Sequence, residues 1–184
     1  MKLITFPVYH NDRSYVFERY TGLLLEKENN DNLKQTTFPG IKVRRALNHI
    51  SKPYTLRKGG QISSVINIPN TAIRLYARLL TKLCKLTFSL ARLSAIYNLR
   101  VFENATDAIV AFRKIFPDSM QQDLCMPRTL FAASTSRKFK ERGVIFIGVF
   151  LPSKSMHAWI IEDRTQPDPY DNLWIKFQLV AAMR

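Results

Sequence analysis

Eight consecutive apolar residues, VIFIGVFL at 144–151, constrain this chain more than any other feature. The run is rich in β-branched and aromatic side chains and has no polar alternation. It predicts a central strand buried on both faces, which needs a neighbour along each edge and a covering layer above and below. The flanks supply candidates. Residues 152–155 (PSKS) form a short turn and Met156 to Glu162 a second strand. Asp163 to Asn172, carrying Pro167 and Pro169, is a loop, and Leu173 to Ala182 is a third strand. Upstream, Cys125 to Arg142 predicts a helix, with Gly143 as its C′ residue. Helices beside a sheet of sequentially adjacent strands are an α+β arrangement.

Two further regions precede this one. Over residues 70–118, Asn70-Thr71 caps a helix that runs toward Arg100. Along it Leu75, Leu79, Leu83, Leu86, Leu90 and Leu93 recur at steps of three and four. Every formal charge between Asn70 and Arg100 is positive: Arg74, Arg78, Lys82, Lys85, Arg92 and Arg100. The expectation is that the leucines pack and the basic side is solvated. A second helix covers Asp107 to Phe116 and stops at Pro117. Over residues 1–69, Ser14 to Tyr20 and Leu23 to Lys27 read as two strands joined at Thr21-Gly22, and Ile41 to Ile50 as a short helix. That region is too broken for a large core of its own and is expected to be a small N-terminal β-rich module, with the main domain over 70–184.

The chemistry-bearing residues are few. Cys84 and Cys125 are the two cysteines, no CxxC spacing exists, and there are three histidines; neither a disulfide framework nor a metal site is expected. A reducing, cytoplasmic setting follows, since the N-terminus lacks a signal-peptide pattern and no run reaches the roughly 20 apolar residues that span a bilayer. Cys125 starts the predicted helix, where the positive end of the macrodipole and unpaired N–H groups favour a thiolate and an oxyanion. His157 lies on a following strand as MHAWIIE, and Asp168 and Asp171 come shortly after. A thiol, an imidazole and a carboxylate are the parts of a nucleophilic site, in which the carboxylate fixes the tautomer and stabilises the imidazolium. Cys84, inside the leucine-rich helix, reads as a buried small hydrophobe, and His10 and His49 as structural. Trp159 shares a strand face with His157 and either walls a cleft or packs in the core. Asp123 is read as a helix cap.

DLCMPRTL at 123–130, the apolar strand and the His-Ala-Trp at 157–159 resemble the lasso-peptide biosynthesis B proteins of the transglutaminase-like cysteine peptidase superfamily. The resemblance is clearest from Cys125 onward. It implies a papain/transglutaminase-like core and a peptidase that removes the leader from a ribosomally made precursor, before an asparagine-synthetase-like cyclase closes a macrolactam. Its partners would then be the precursor's leader region and that cyclase. In the microcin-producing branch, cleavage is associated with ATP. By position Cys125 is the nucleophile, His157 the base and Asp168 the third member, with Asp171 and Asp163 as alternatives. The family's N-terminal leader-recognition module implies the same role for residues 1–69, in shortened form, with the leader adding a strand to a hairpin edge.

The net charge of +14 favours an anionic partner but is spread along the chain. No nucleic-acid-binding motif is present, so nucleic acid is not expected. The basic helix fits a solvated face, a docking surface for an acidic partner, or peripheral contact with a membrane. Against the peptidase stands a non-catalytic reading, a peptide-binding or membrane or nucleic-acid adaptor with a peptidase-like fold.

Overall fold

The structure, a computed structural model, describes residues 2–11, 13–27, 71–96, 99–117, 120, 123–151, 153–163, 167–171 and 176–184. The expected helix over 41–50 and His49 lie outside them. The strands are β1 (Leu3–Thr5), β2 (Val8–His10), β3 (Arg13–Phe17), β4 (Leu24–Lys27), β5 (Gly143–Phe150), β6 (Ser155–Glu162) and β7 (Gln178–Met183). The helices are α1 (Thr71–Leu86), α2 (Phe88–Ile96), α3 (Ala105–Ile115), α4 (Cys125–Thr135) and the single turn α5 (Phe139–Arg142). Helices and antiparallel sheets make the chain α+β.

The apolar run is β5, and it does sit inside a sheet of order β1-β7-β5-β6, antiparallel throughout. Ile145, Ile147 and Val149 face the main core, and Phe146 faces a smaller cluster with Trp159 and Ile161. β5 pairs with β6 along its whole length and with β7 from Ile145 to Val149, with a register shift between Ile147 and Gly148, so its main chain finds partners on both sides. The main core is centred on α4, whose residues from Pro127 to Thr135 are all buried. Phe131 of α4 touches the rings of Phe112, Tyr76 and Phe102 at centroid distances of 5.3, 6.0 and 6.2 Å. A helix buried all round is held from every side, and its first residue is Cys125.

Three expectations about helices change. The helix expected over 125–142 ends at Thr135, because Ser136 is extended and forms a parallel bridge with Phe102. Gly143 is not a left-handed C′ residue; at φ −99° and ψ 149° it opens β5. The long leucine helix breaks at Thr87, and α2 folds back on α1 so that Tyr76 Oη donates to Ser94 O at 3.1 Å. Its packed face is Ile73, Ala77, Leu80 and Thr81, whereas Leu75, Leu79 and Leu86 are exposed. Ala77 and Ala91 are both fully buried.

At the N-terminus the expected hairpin is β3–β4, joined by a turn in which Glu18 accepts from the Tyr20 and Thr21 N–H groups at 2.9 and 2.6 Å. Gly22 has φ +75°, and a side chain there would press on Phe88 Cβ at 2.7 Å. Phe17 meets Phe88 edge-on at 5.4 Å, fixing the small sheet β2-β3-β4 against α2. Two strands were not anticipated. β2 extends the small sheet, and β1 pairs with β7 in the main sheet, with Lys2 and Arg184 exchanging backbone hydrogen bonds at 2.5 and 3.1 Å. The sheet of the 70–184 region thus includes residues from beyond the expected 69/70 boundary.

Candidate active site

β6 is an edge strand, and the start of α4 lies against its free edge. The Ala158 N–H bonds the Cys125 sulfur, and Thr129 Oγ1 of α4 donates to Ala158 O at 3.2 Å. The helix thereby satisfies edge groups that β5 cannot reach. Leu124 is the N-cap residue and supplies no side-chain bond, and Asp123 is exposed, so the expected aspartate cap is not made. Pro127 in the first turn costs nothing there, where no intrahelical N–H is needed.

His157 pairs with Gly148 of β5 across the ladder. Its ring stacks on Trp159 at 6.1 Å with 16° between planes and touches Phe177 at 5.1 Å. Trp159 therefore both packs in a core cluster and walls the imidazole. A side chain at Gly148 would strike Phe177 Cβ at 2.7 Å and the Trp159 ring at 2.9 Å, so the bare backbone is what lets these rings close around His157. Nε2 of His157 lies 2.7 Å from Asp171 Oδ2, and both side chains are buried. That leaves Nδ1 for Cys125, with which the ring shares a hydrogen bond.

The electrostatics follow from this chain of contacts. Burial pushes the Cys125 thiol up, but the His157 hydrogen bond, the Ala158 N–H and the His157 and Arg128 charges together carry it below the ordinary thiol range. Burial likewise works against a charged His157, and the bonds to Asp171 and Cys125 outweigh it, raising the imidazole to about 9. Both shifts run toward a thiolate beside an imidazolium. Cys84 is the contrast: burial, with a smaller contribution from Cys125, pushes its thiol to about 12.

The carboxylate on His157 is Asp171, not Asp168. Asp168 is also buried, but its partner is Arg128 of α4, with Nε–Oδ2 at 3.0 Å; Arg113 Nε stands 3.9 Å from its other oxygen. Its Oδ1 also accepts from the Tyr170 N–H at 3.0 Å, and Asp171 N–H bonds Asp168 O at 3.3 Å. The Arg113 guanidinium lies over the Tyr170 ring at 4.5 Å. Asp168 thus shapes the turn that delivers Asp171 to His157, and anchors it to the helix that starts at Cys125. Asp163 is exposed at the end of β6, at φ 50°, bonded to Arg142 at 3.1 Å. Arg128, Arg113 and Phe177 went unnoticed in the sequence. Arg128 had one available signal, its place one helical turn after Cys125.

Among the described residues no group of three or more His, Cys, Asp or Glu is arranged to hold a metal ion. No helix of the described residues is long and apolar enough to cross a membrane. No family model, curated protein or solved structure matches this chain.

Proposed function

We propose that this chain is a cysteine peptidase with a papain/transglutaminase-like core, which removes the leader from a lasso-peptide precursor. The observation that carries the reading is the Cys125–His157–Asp171 constellation: a lowered thiol at a helix start, bonded to an imidazole whose other nitrogen is held by a buried carboxylate. The resemblance around Cys125 and His157 supplies the substrate class.

In this mechanism the Cys125 thiolate attacks the scissile carbonyl, and first-turn N–H groups of α4 stabilise the oxyanion. The His157 imidazolium then gives its proton to the leaving amine as the C–N bond breaks. Water, deprotonated by the now neutral His157, attacks the thioester; the C–S bond breaks, Cys125 leaves as the thiolate, and the ring, charged by the proton taken from water, restores the starting pair. Asp171 holds Nε2–H throughout and stabilises the charged ring. The leader pairs with the edge of the small N-terminal sheet. The asparagine-synthetase-like cyclase takes the freed core peptide, in the cytoplasm, and cleavage draws on ATP as in the microcin-type systems.

The test is incubation with the cognate precursor, with and without cyclase and ATP, followed by mass spectrometry. The wild-type chain yields leader and core fragments, and Cys125→Ala yields none while its circular dichroism is unchanged. Cleavage by Cys125→Ala at the wild-type rate would refute the mechanism.

A further inference from the structure

The outward side of α1 carries an arrangement that the proposed chemistry does not use. At about 100° per residue, Arg74, Arg78, Lys82 and Lys85 fall within one arc of about 80°, and Leu75, Leu79 and Leu86 occupy the arc directly beside it. All four basic residues are exposed. The three leucines are 61%, 52% and 77% exposed, values far above those of an ordinary packed leucine. On α2, which folds back on α1, Leu90 and Leu93 are also about half exposed, at 47% and 53%.

We propose that this face of α1 docks onto an anionic lipid bilayer. The leucines enter the acyl boundary while the neighbouring Arg and Lys stems run up to the headgroup phosphates. Three observations favour lipid over other anions. First, no acidic residue occurs between Asn70 and Arg100, so every formal charge on the face is attracted to a negatively charged surface. Second, the exposed side chains of α1 and α2 include no aromatic ring: Tyr76 is half-buried and bonded to Ser94, and Phe88 is buried. Flexible aliphatic side chains suit fluid hydrocarbon, whereas specific protein interfaces are anchored by Trp, Tyr and Arg in shaped pockets. Third, nucleic acid would engage the basic arc and leave the leucine arc in water. The proposal is independent of the peptidase reading.

The experiment is flotation of the purified full chain with vesicles of phosphatidylcholine alone, or of phosphatidylcholine and phosphatidylglycerol in roughly equal parts, across a salt series. Binding is expected to the mixed vesicles only, weakening as salt rises. Replacing Arg74, Arg78, Lys82 and Lys85 by Gln is expected to weaken it by roughly 600-fold, at roughly a fivefold factor for each of the four charges. Replacing Leu75, Leu79 and Leu86 by Gln is expected to weaken it at least about tenfold, with the melting temperature unchanged. Three results overturn the proposal. One is no binding to the mixed vesicles at low salt. Another is binding that survives the leucine replacement, which makes the face a simple cation patch for an acidic protein or nucleic acid. The third is a lowered melting temperature in the leucine variant, which means those leucines pack against protein.

Discussion

Asp168 and Asp171 sit three residues apart in one loop, and the structure gives them different work. Asp171 touches the imidazole; Asp168 neutralises a buried arginine. Substitution separates the two. Asp171→Asn is expected to lower peptidase turnover by on the order of 10²–10⁴, through loss of tautomer control, and to lose part of the stability that the raised His157 pKa supplies at neutral pH. Asp168→Ala is expected to cost roughly 3–5 kcal/mol of stability, since Arg128 is left charged and buried. Precursor cleavage and thermal unfolding, measured on both variants, decide between them; a stable but inactive Asp168→Ala would reverse the assignment. The titration of the pair gives a check that needs no substrate. His157, raised from 6.5 to about 9, contributes stability that is complete below its ordinary value and is lost as pH rises through about 9. Cys125, being lowered, contributes at pH above its ordinary range and loses that contribution as pH falls through its depressed value. Alkylation of Cys125 by iodoacetamide should therefore persist at pH below the normal thiol range. In His157→Ala the rate at pH 7 should fall, because the thiol returns toward or above its ordinary value. An unchanged profile in that variant would show that the ring does not hold the thiolate.

At the level of elements, a second buried carboxylate joins three of them. Glu162, at the end of β6, accepts from the Ala105 N–H that opens α3 at 3.0 Å and from Ser136 Oγ after α4 at 2.8 Å. Burial raises its pKa despite both bonds. Glu162→Ala leaves a buried N–H and a hydroxyl without this acceptor, which is expected to cost about 1–3 kcal/mol. Glu162→Gln keeps an acceptor for Ala105 and should retain most of that stability. Chemical denaturation of both variants measures the difference, and equal losses would rule out the bridging role. The strands around the site were legible because their signals are local. Apolar continuity marks β5, and the turn at 152–155 fixes where β6 begins. The face of α1 was not legible. Its leucine stripe and its Ile73–Ala77–Leu80 stripe share one helical period, and alanine contributes little to a hydrophobic pattern.

For the molecule as a whole, the N-terminal strand closes the main sheet. β1 covers the edge of β7, and the Phe6 N–H donates to Val180 O at 2.7 Å. Deleting residues 2–5 uncovers that edge and removes several ladder hydrogen bonds, at about 1 kcal/mol each. The expected loss is roughly 2–4 kcal/mol in thermal or chemical unfolding, and no loss would place β1 outside the cooperative unit. Only the tertiary structure decided this pairing, because three ordinary residues carry no signal of a partner some 175 positions away. The same holds for Asp171. Two aspartates in a proline-containing loop look equivalent in sequence, and which one turns to His157 is settled by Arg128 drawing Asp168 to α4. The sequence by itself determined what is local: the central strand, the strand after it, a helix opening at Cys125, and the presence of thiol and imidazole on adjoining elements. Hydrophobic period and turn chemistry act over a few residues and are written in order along the chain. Burial, charge pairing and edge covering are relations between distant segments, and they exist only once the chain has closed on itself.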